Sequence, residues 1–157
     1  METWKKNWTA NQWAAFFETK KLPVLSRSKE LALALEEQEG EQLSAHDLAR
    51  VVLGDPLLCL QLLREAERIR TNRLGNETTT TLQAVMQLGT DNVKKLLLNS
   101  DEIDEATPGL RYVETRSSLA ARIALRWAPA RADLNPVEVA LAALLSDTGE
   151  LLLWLYA

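Results

Sequence analysis

The sequence is poor in the groups that usually carry chemistry. Its 157 residues hold one cysteine, Cys59, and one histidine, His46. A single thiol excludes an intrachain disulfide and suits a reducing compartment, so a cytoplasmic setting is expected. No Cys/His spacing of the kind that grips zinc can be written. The six glycines are scattered and mostly mark helix ends, which excludes a Gly-rich phosphate loop. The longest wholly apolar run, Leu151 to Ala157, falls well short of the roughly 20 residues a membrane span requires. Met1 to Lys6 leads into Asn7-Trp8-Thr9 with no apolar stretch behind the lysines, so no targeting segment is expected. Basic charge is also lacking. Lys plus Arg is 18 against 22 Asp plus Glu, a net charge of −4, so the global signature of a nucleic-acid binder is absent.

What is present is an ordinary globular balance, 46% hydrophobic and 25% charged, at a length that suits one domain. Folding at this size removes about 68–70% of the chain's surface from water. The patterning is helical throughout. Thr9-Ala10-Asn11-Gln12 reads as a capping box, with Trp8 and Trp13 placed as the hydrophobic staple around it. Trp13, Phe16 and Phe17 then share a face, and Pro23 blocks continuation. A second helix is predicted from about Ser28 to Glu39 with Gly40 as its cap. Ser44 caps a third that ends at Gly54, and Asp55-Pro56 opens a fourth whose apolar stripe is Leu58, Leu62, Ala66 and Ile69. Thr80 and Gln83 offer another capping box, Gly89 ends that short helix, and Thr90 is expected to cap the next. The acidic stretch from Asn99 to Gly109 is the best candidate boundary between two helical parts. The longest helix is predicted from about Leu110 to Ala128, and Asn135-Pro136-Val137-Glu138 starts another. No window shows strand alternation, and no internal repeat occurs.

Few residues compete for a chemical role. His46, on the first turn of a short helix, reads as a half-exposed surface histidine rather than a general base, because no nucleophile lies near it in the sequence. Cys59, among Leu57, Leu58, Leu60 and Leu62, reads as a buried structural thiol. Trp4, Trp8 and Trp13 crowd the first 13 residues; they are expected to pack as a lid, with an aromatic partner-binding patch as the other reading. Arg116, Arg122, Arg126 and Arg131 lie on or just past the longest helix. Arg122 and Arg126 share a face, which is expected to be solvated, an anion or nucleic-acid surface being the alternative.

Five segments, in order, resemble the HDOD domain, a non-catalytic relative of the HD metal-dependent phosphohydrolases. They are Leu22-Pro23-Val24-Leu25; Asp55-Pro56 followed by Leu58, Leu62 and Leu63; Thr81-Leu82-Gln83-Ala84-Val85 through Leu88-Gly89; Ser117-Ser118-Leu119-Ala120; and Leu144-Leu145-Ser146-Asp147-Thr148-Gly149-Glu150-Leu151. The resemblance covers about Leu22 to Leu153. It implies an all-α, irregular multi-helix bundle of about eight or nine helices. Residues 1–100 would form the N-terminal bundle, and 101–157 an HD-like helical part, incomplete at the C-terminus. In an HD phosphohydrolase a histidine on one helix and a His-Asp pair on a later one hold the metal. Here Ser117 and Ser146 stand in the two histidine positions, and only Asp147 remains. One carboxylate does not make a catalytic metal site, which takes about three protein ligands. Asp147 is therefore expected to cap the next helix or accept backbone bonds near Thr148-Gly149.

No catalytic residue, metal or cofactor is expected, and the chain reads as a non-enzyme. The resemblance implies a bacterial signal-transduction module acting through a protein partner, in a two-component or cyclic-dinucleotide pathway. Trp4, Trp8, Arg122 and Arg126 form the possible partner surface, and Leu151, Leu153 and Trp154 could mediate self-association. The alternatives are a degenerate phosphohydrolase of nucleotides or cyclic dinucleotides and a nucleic-acid-binding regulator.

Overall fold

The computed structural model describes residues 7–39, 43–71, 77–103 and 107–157. Its elements are α1 (Ala10–Glu18), α2 (Ser26–Glu39), α3 (Ala45–Leu53), α4 (Pro56–Thr71), α5 (Thr81–Leu88), α6 (Thr90–Asn99), α7 (Pro108–Trp127), α8 (Pro136–Leu145) and α9 (Thr148–Tyr156), with a 3-10 turn at Ala128–Ala130. The fold is an all-α multi-helix bundle. The one extended pairing among the described residues is a parallel bridge, in which Val24 N–H donates to Asp101 O (2.8 Å) and Ile103 N–H to Val24 O (2.9 Å). It docks the entry to α2 against the chain leaving α6.

The start signals work as their chemistry dictates. At α1 both halves of the capping box form, and the Trp8 and Trp13 rings meet edge-on with centroids 5.0 Å apart. The Ser44 hydroxyl accepts from Asp47 N–H at 3.1 Å and caps α3. Asn135 Oδ1 accepts from Val137 N–H at 3.0 Å and caps α8. Two expectations shift by a residue. At α5, Thr80 caps, but the Gln83 side chain returns its bond to Thr79 rather than Thr80. At α6, Thr90 is already helical and Gly89 takes the cap position. Gly89 closes α5 and opens α6 at φ 85°, a left-handed value that a side chain would strain. The Gly40 cap expected for α2 lies outside the described residues.

Two apolar clusters hold the helices together. The larger draws Val24 and Ala32, Leu48, Val52, Leu58 and Leu62, Val85, Val93 and Leu97, and then Ala121, Ala140 and Leu144 into one contiguous core spanning α2–α8. The smaller joins Leu25, Leu57, Ile103, Leu110 and Val113 to Leu151 of α9. α7 and α8 make the most extensive helix pair. The stretch Pro136–Tyr156 has the length and apolar composition of a membrane span. It breaks at Ser146-Asp147 into α8 and α9, however, and both halves put leucines into the core, Leu141 and Leu144 from α8 and Leu151 and Leu152 from α9.

Polar ties cross between the helices. Asp55, fully buried, accepts four bonds. Oδ1 takes the N–H groups of Leu57 and Leu58 at the start of α4 (both 3.0 Å), and Oδ2 takes Leu25 N–H (2.9 Å) and the Ser28 hydroxyl (2.8 Å). The same carboxylate therefore caps α4 and fixes the chain entering α2. Beside it, Arg27 bonds the buried Glu114 of α7, the Gly54 carbonyl and the Ser118 hydroxyl.

α1 is attached differently. None of its residues is buried. Arg64 of α4 donates to the carbonyls of Glu18 and Lys20, Tyr156 of α9 donates to the Lys21 carbonyl, and the rings of Phe17 and Tyr156 lie 6.5 Å apart. The C-terminal end of the aromatic helix is thus tied to α4 and α9, and the rings of Trp8, Trp13, Phe16 and Phe17 lie against one another.

Candidate functional site

The candidate site is the end of α8, the turn into α9 and the middle of α7, where Ser146, Asp147 and Ser117 stand. Asp147 occupies the N-cap position of α9, yet its side chain makes no cap hydrogen bond. Its carboxylate is taken by Arg116 instead. Arg116 Nε donates to Asp147 Oδ2 at 2.9 Å, and the guanidinium also donates to Glu150 Oε2 at 2.6 Å. The expectation that Asp147 serves the local backbone is corrected here, because a planar cation one helix away offers the carboxylate a charge-assisted partner. These hydrogen bonds, Asp147's first and then Glu150's, raise the pKa of Arg116, a group already protonated at any physiological pH. The cluster therefore contains a permanent cation supplied by the chain.

The two serines do not complete a donor set. Ser146 turns its hydroxyl back to the Ala143 carbonyl at 2.9 Å. Ser117 is fully buried, and its Oγ has no hydrogen-bond partner among the described residues. No three His, Cys, Asp or Glu side chains among the described residues gather in a group that could hold a metal ion. The residues that the resemblance places at the metal positions thus do not fit a catalytic divalent metal. Two are neutral hydroxyls, one of them sealed in the core, and the single acid is neutralised. A hydroxyl buried without a partner costs about 1 kcal/mol or more. We accordingly expect Ser117→Ala to raise stability by about 1 kcal/mol in urea denaturation. A loss of stability on that change would show that the hydroxyl has a partner after all.

The other singled-out residues fall as follows. His46 is exposed on α3. Cys59 is buried in the larger core, and burial, helped by the nearby Asp55 charge, pushes its thiol up to about 12, so it is protonated and unreactive at neutral pH. Trp4 lies outside the described residues, and Trp8 belongs to the α1 cluster. Of the four arginines, Arg116 pairs with two acids and Arg131 with Asp133, while Arg122 and Arg126 stand exposed on α7. The self-association reading is corrected at Leu151, which is 1% exposed and packs in the smaller core; Leu153 and Trp154 remain on the surface. The ring of Trp154 lies across Gly109 so closely that a Cβ there would come within 2.2 Å of it, which is why α7 carries glycine in its first turn.

Arg116 is the residue that sequence reasoning misplaces. Spacing alone groups it with a solvated arginine face, although it precedes Ser117 by one residue and Asp147 and Glu150 flank the α9 start. Nothing in the spacing says that α7 and α9 meet.

An all-α multi-helix bundle defines the class, and comparison with known families makes it specific. The chain belongs to the HDOD domain family, whose model matches residues 27–157. Leu22-Pro23-Val24-Leu25 and α1 precede the matched part. The family is one of regulatory, signalling-associated modules related to HD hydrolases. No curated protein and no solved structure matches the chain.

Proposed function

We propose that this chain is a non-catalytic regulatory module of bacterial, cytoplasmic signal transduction, acting by binding another protein. The observation that carries the reading is the Arg116 guanidinium seated on Asp147 and Glu150. A cation built into the chain engages the one carboxylate that the HD pattern would offer a metal. Two further features support it. The serines at the histidine positions are neutral, and the buried thiol and exposed lone histidine supply no other acid–base or nucleophilic pair.

The test is direct. The purified chain is incubated with Mn²⁺, Mg²⁺ or Zn²⁺, dialysed and analysed for metal, and then assayed against nucleotides and cyclic dinucleotides. We expect no stoichiometric metal and no turnover, with Asp147→Ala indistinguishable from the parent in both assays. One equivalent of metal together with phosphodiester hydrolysis that disappears in Asp147→Ala would overturn the reading and favour a degenerate phosphohydrolase.

A further inference from the structure

α7 presents a second face that the core does not use. Tyr112, Leu119, Ile123 and Trp127 recur at helical spacing along it and are 66%, 52%, 41% and 75% exposed. With Arg116 between them they form one continuous stripe. Arg116 does not spoil it, because its charge is met by Asp147 and Glu150 on the α9 side and its guanidinium stacks 5.5 Å from the Tyr112 ring. Towards α8 the stripe opens into an apolar groove of about 470 Å³, whose walls include Ile123, Trp127, Leu134 and Val139. Isolated exposed leucines need no explanation, but four large apolar side chains in register on one 20-residue helix form a contiguous patch.

The charges beside the stripe indicate what covers it. At 100° per residue, Arg111, Thr115, Arg122 and Arg126 fall on one flank, and all four are exposed. No side-chain hydrogen bond or ion pair with another described residue engages the guanidinium groups of the three arginines. The one acid of α7, Glu114, is buried and taken by Arg27, so it does not balance them. The flank is therefore a row of one sign on a chain whose net charge is −4.

This row disfavours an antiparallel second copy of α7 as the occupant. A two-fold axis through the midpoint of the stripe runs two α7 helices antiparallel and lays each arginine flank against its own counterpart. Arg111 of each copy then falls near the level of Arg126 of the other, and the like charges repel. A lipid surface fits less well than a helix, because the groove between α7 and α8 is concave and matches the ridge of side chains on a cylinder rather than a plane.

We propose that the α7 stripe and the groove beside it receive an amphipathic helix of a partner protein, with its apolar ridge in the groove and aspartates or glutamates along the flank that faces Arg111, Arg122 and Arg126. The apolar contacts supply the buried area, and the carboxylates fix orientation and select the partner. This rests on the protein-binding reading above and names the chemistry of the partner. α7 is about 30 Å long, so a single seated helix makes a small interface. Affinity for an isolated peptide is then modest, with a dissociation constant on the order of 10 μM.

Three fluorescein-labelled 18-residue helical peptides test it. They share one leucine stripe and carry glutamate, glutamine or lysine along one flank. Fluorescence anisotropy on the full chain is expected to show saturable binding of the glutamate peptide, at least about tenfold tighter than the lysine peptide and weaker at high salt. Amide shifts in NMR spectra should concentrate on α7 and α8. Leu119→Asp should weaken binding by at least about tenfold, and the double variant Arg122→Glu, Arg126→Glu should reverse the preference towards the lysine peptide. All these positions are exposed, and circular dichroism checks that the helices persist. No saturable binding of the glutamate peptide up to about 1 mM overturns the site. So does a preference unchanged by the double variant, or shifts confined to α1. Anionic phosphatidylglycerol vesicles that bind the chain, and lose it on Leu119→Asp while the peptides do not bind, would assign the stripe to a membrane instead. A chain that ignores the peptides and also shows no turnover would sink this site while leaving the non-catalytic reading intact. One that binds the glutamate peptide yet hydrolyses phosphodiesters would do the reverse.

Discussion

Replacing Asp55 by alanine is expected to cost about 3–5 kcal/mol of folding free energy, the largest effect of any polar substitution among the described residues. The reason is the number of donors it leaves behind. Leu57 N–H and Leu58 N–H lose the α4 cap, Leu25 N–H loses its partner across the chain entry, and the Ser28 hydroxyl loses its acceptor, all at a site without solvent. Each buried donor left unpaired costs about 1–3 kcal/mol, partly offset by relief of the burial cost of the carboxylate itself. Asp55→Asn should do less damage, since its oxygen can keep the two α4 donors while its amide group faces Leu25 N–H. Denaturant unfolding measures both, and a loss below about 1 kcal/mol for Asp55→Ala would refute the four-bond account. The pH dependence has a definite sign. Burial raises the Asp55 carboxyl above its ordinary 3.8, against the lowering effect of its four hydrogen bonds. Folding therefore favours the protonated form relative to the unfolded chain. This group's contribution is complete below pH 3.8 and declines as the pH rises through the folded value.

Leu151→Ala should be nearly as damaging, at about 3 kcal/mol, within the range of buried leucine truncations. Leu151 fills the space among Leu25, Leu57, Ile103, Leu110 and Val113, and it is the one fully buried member that α9 gives this cluster. In a chain of this size the melting temperature should fall by roughly 6–12 °C. Leu153, two residues on and exposed, is the control, because Leu153→Ala should stay within about 0.5 kcal/mol of the parent. Equal, small effects at both positions would mean that α9 does not dock as described. Thermal melts of the two variants side by side decide it.

The helices and many of their ends are legible in the sequence because those signals are local. Thr9 with Gln12, Ser44 with Asp47, Asp55 before Pro56 and Asn135 before Pro136 each place a side-chain acceptor within three residues of the N–H it serves. The cap expected at Thr90 fails because glycine at φ 85° already closes α5 and leaves Thr90 inside the next helix. The tail from Leu151 to Tyr156 shows no buried face in the sequence, because it is apolar on every side and has no period to detect.

Composition and spacing by themselves determined that the chain is helical and that a buried thiol lies on α4. Those conclusions depend on residue identity and on neighbours a few positions apart. The tertiary structure alone decided what Asp147 does, which leucines of α9 are core, and that Glu114 is buried against Arg27. Each of those turns on groups 31 or more positions apart in the chain, and only the packing of α2, α7 and α9 brings them within reach of one another. A side chain's chemistry is set by its own atoms, but its partner is set by the fold.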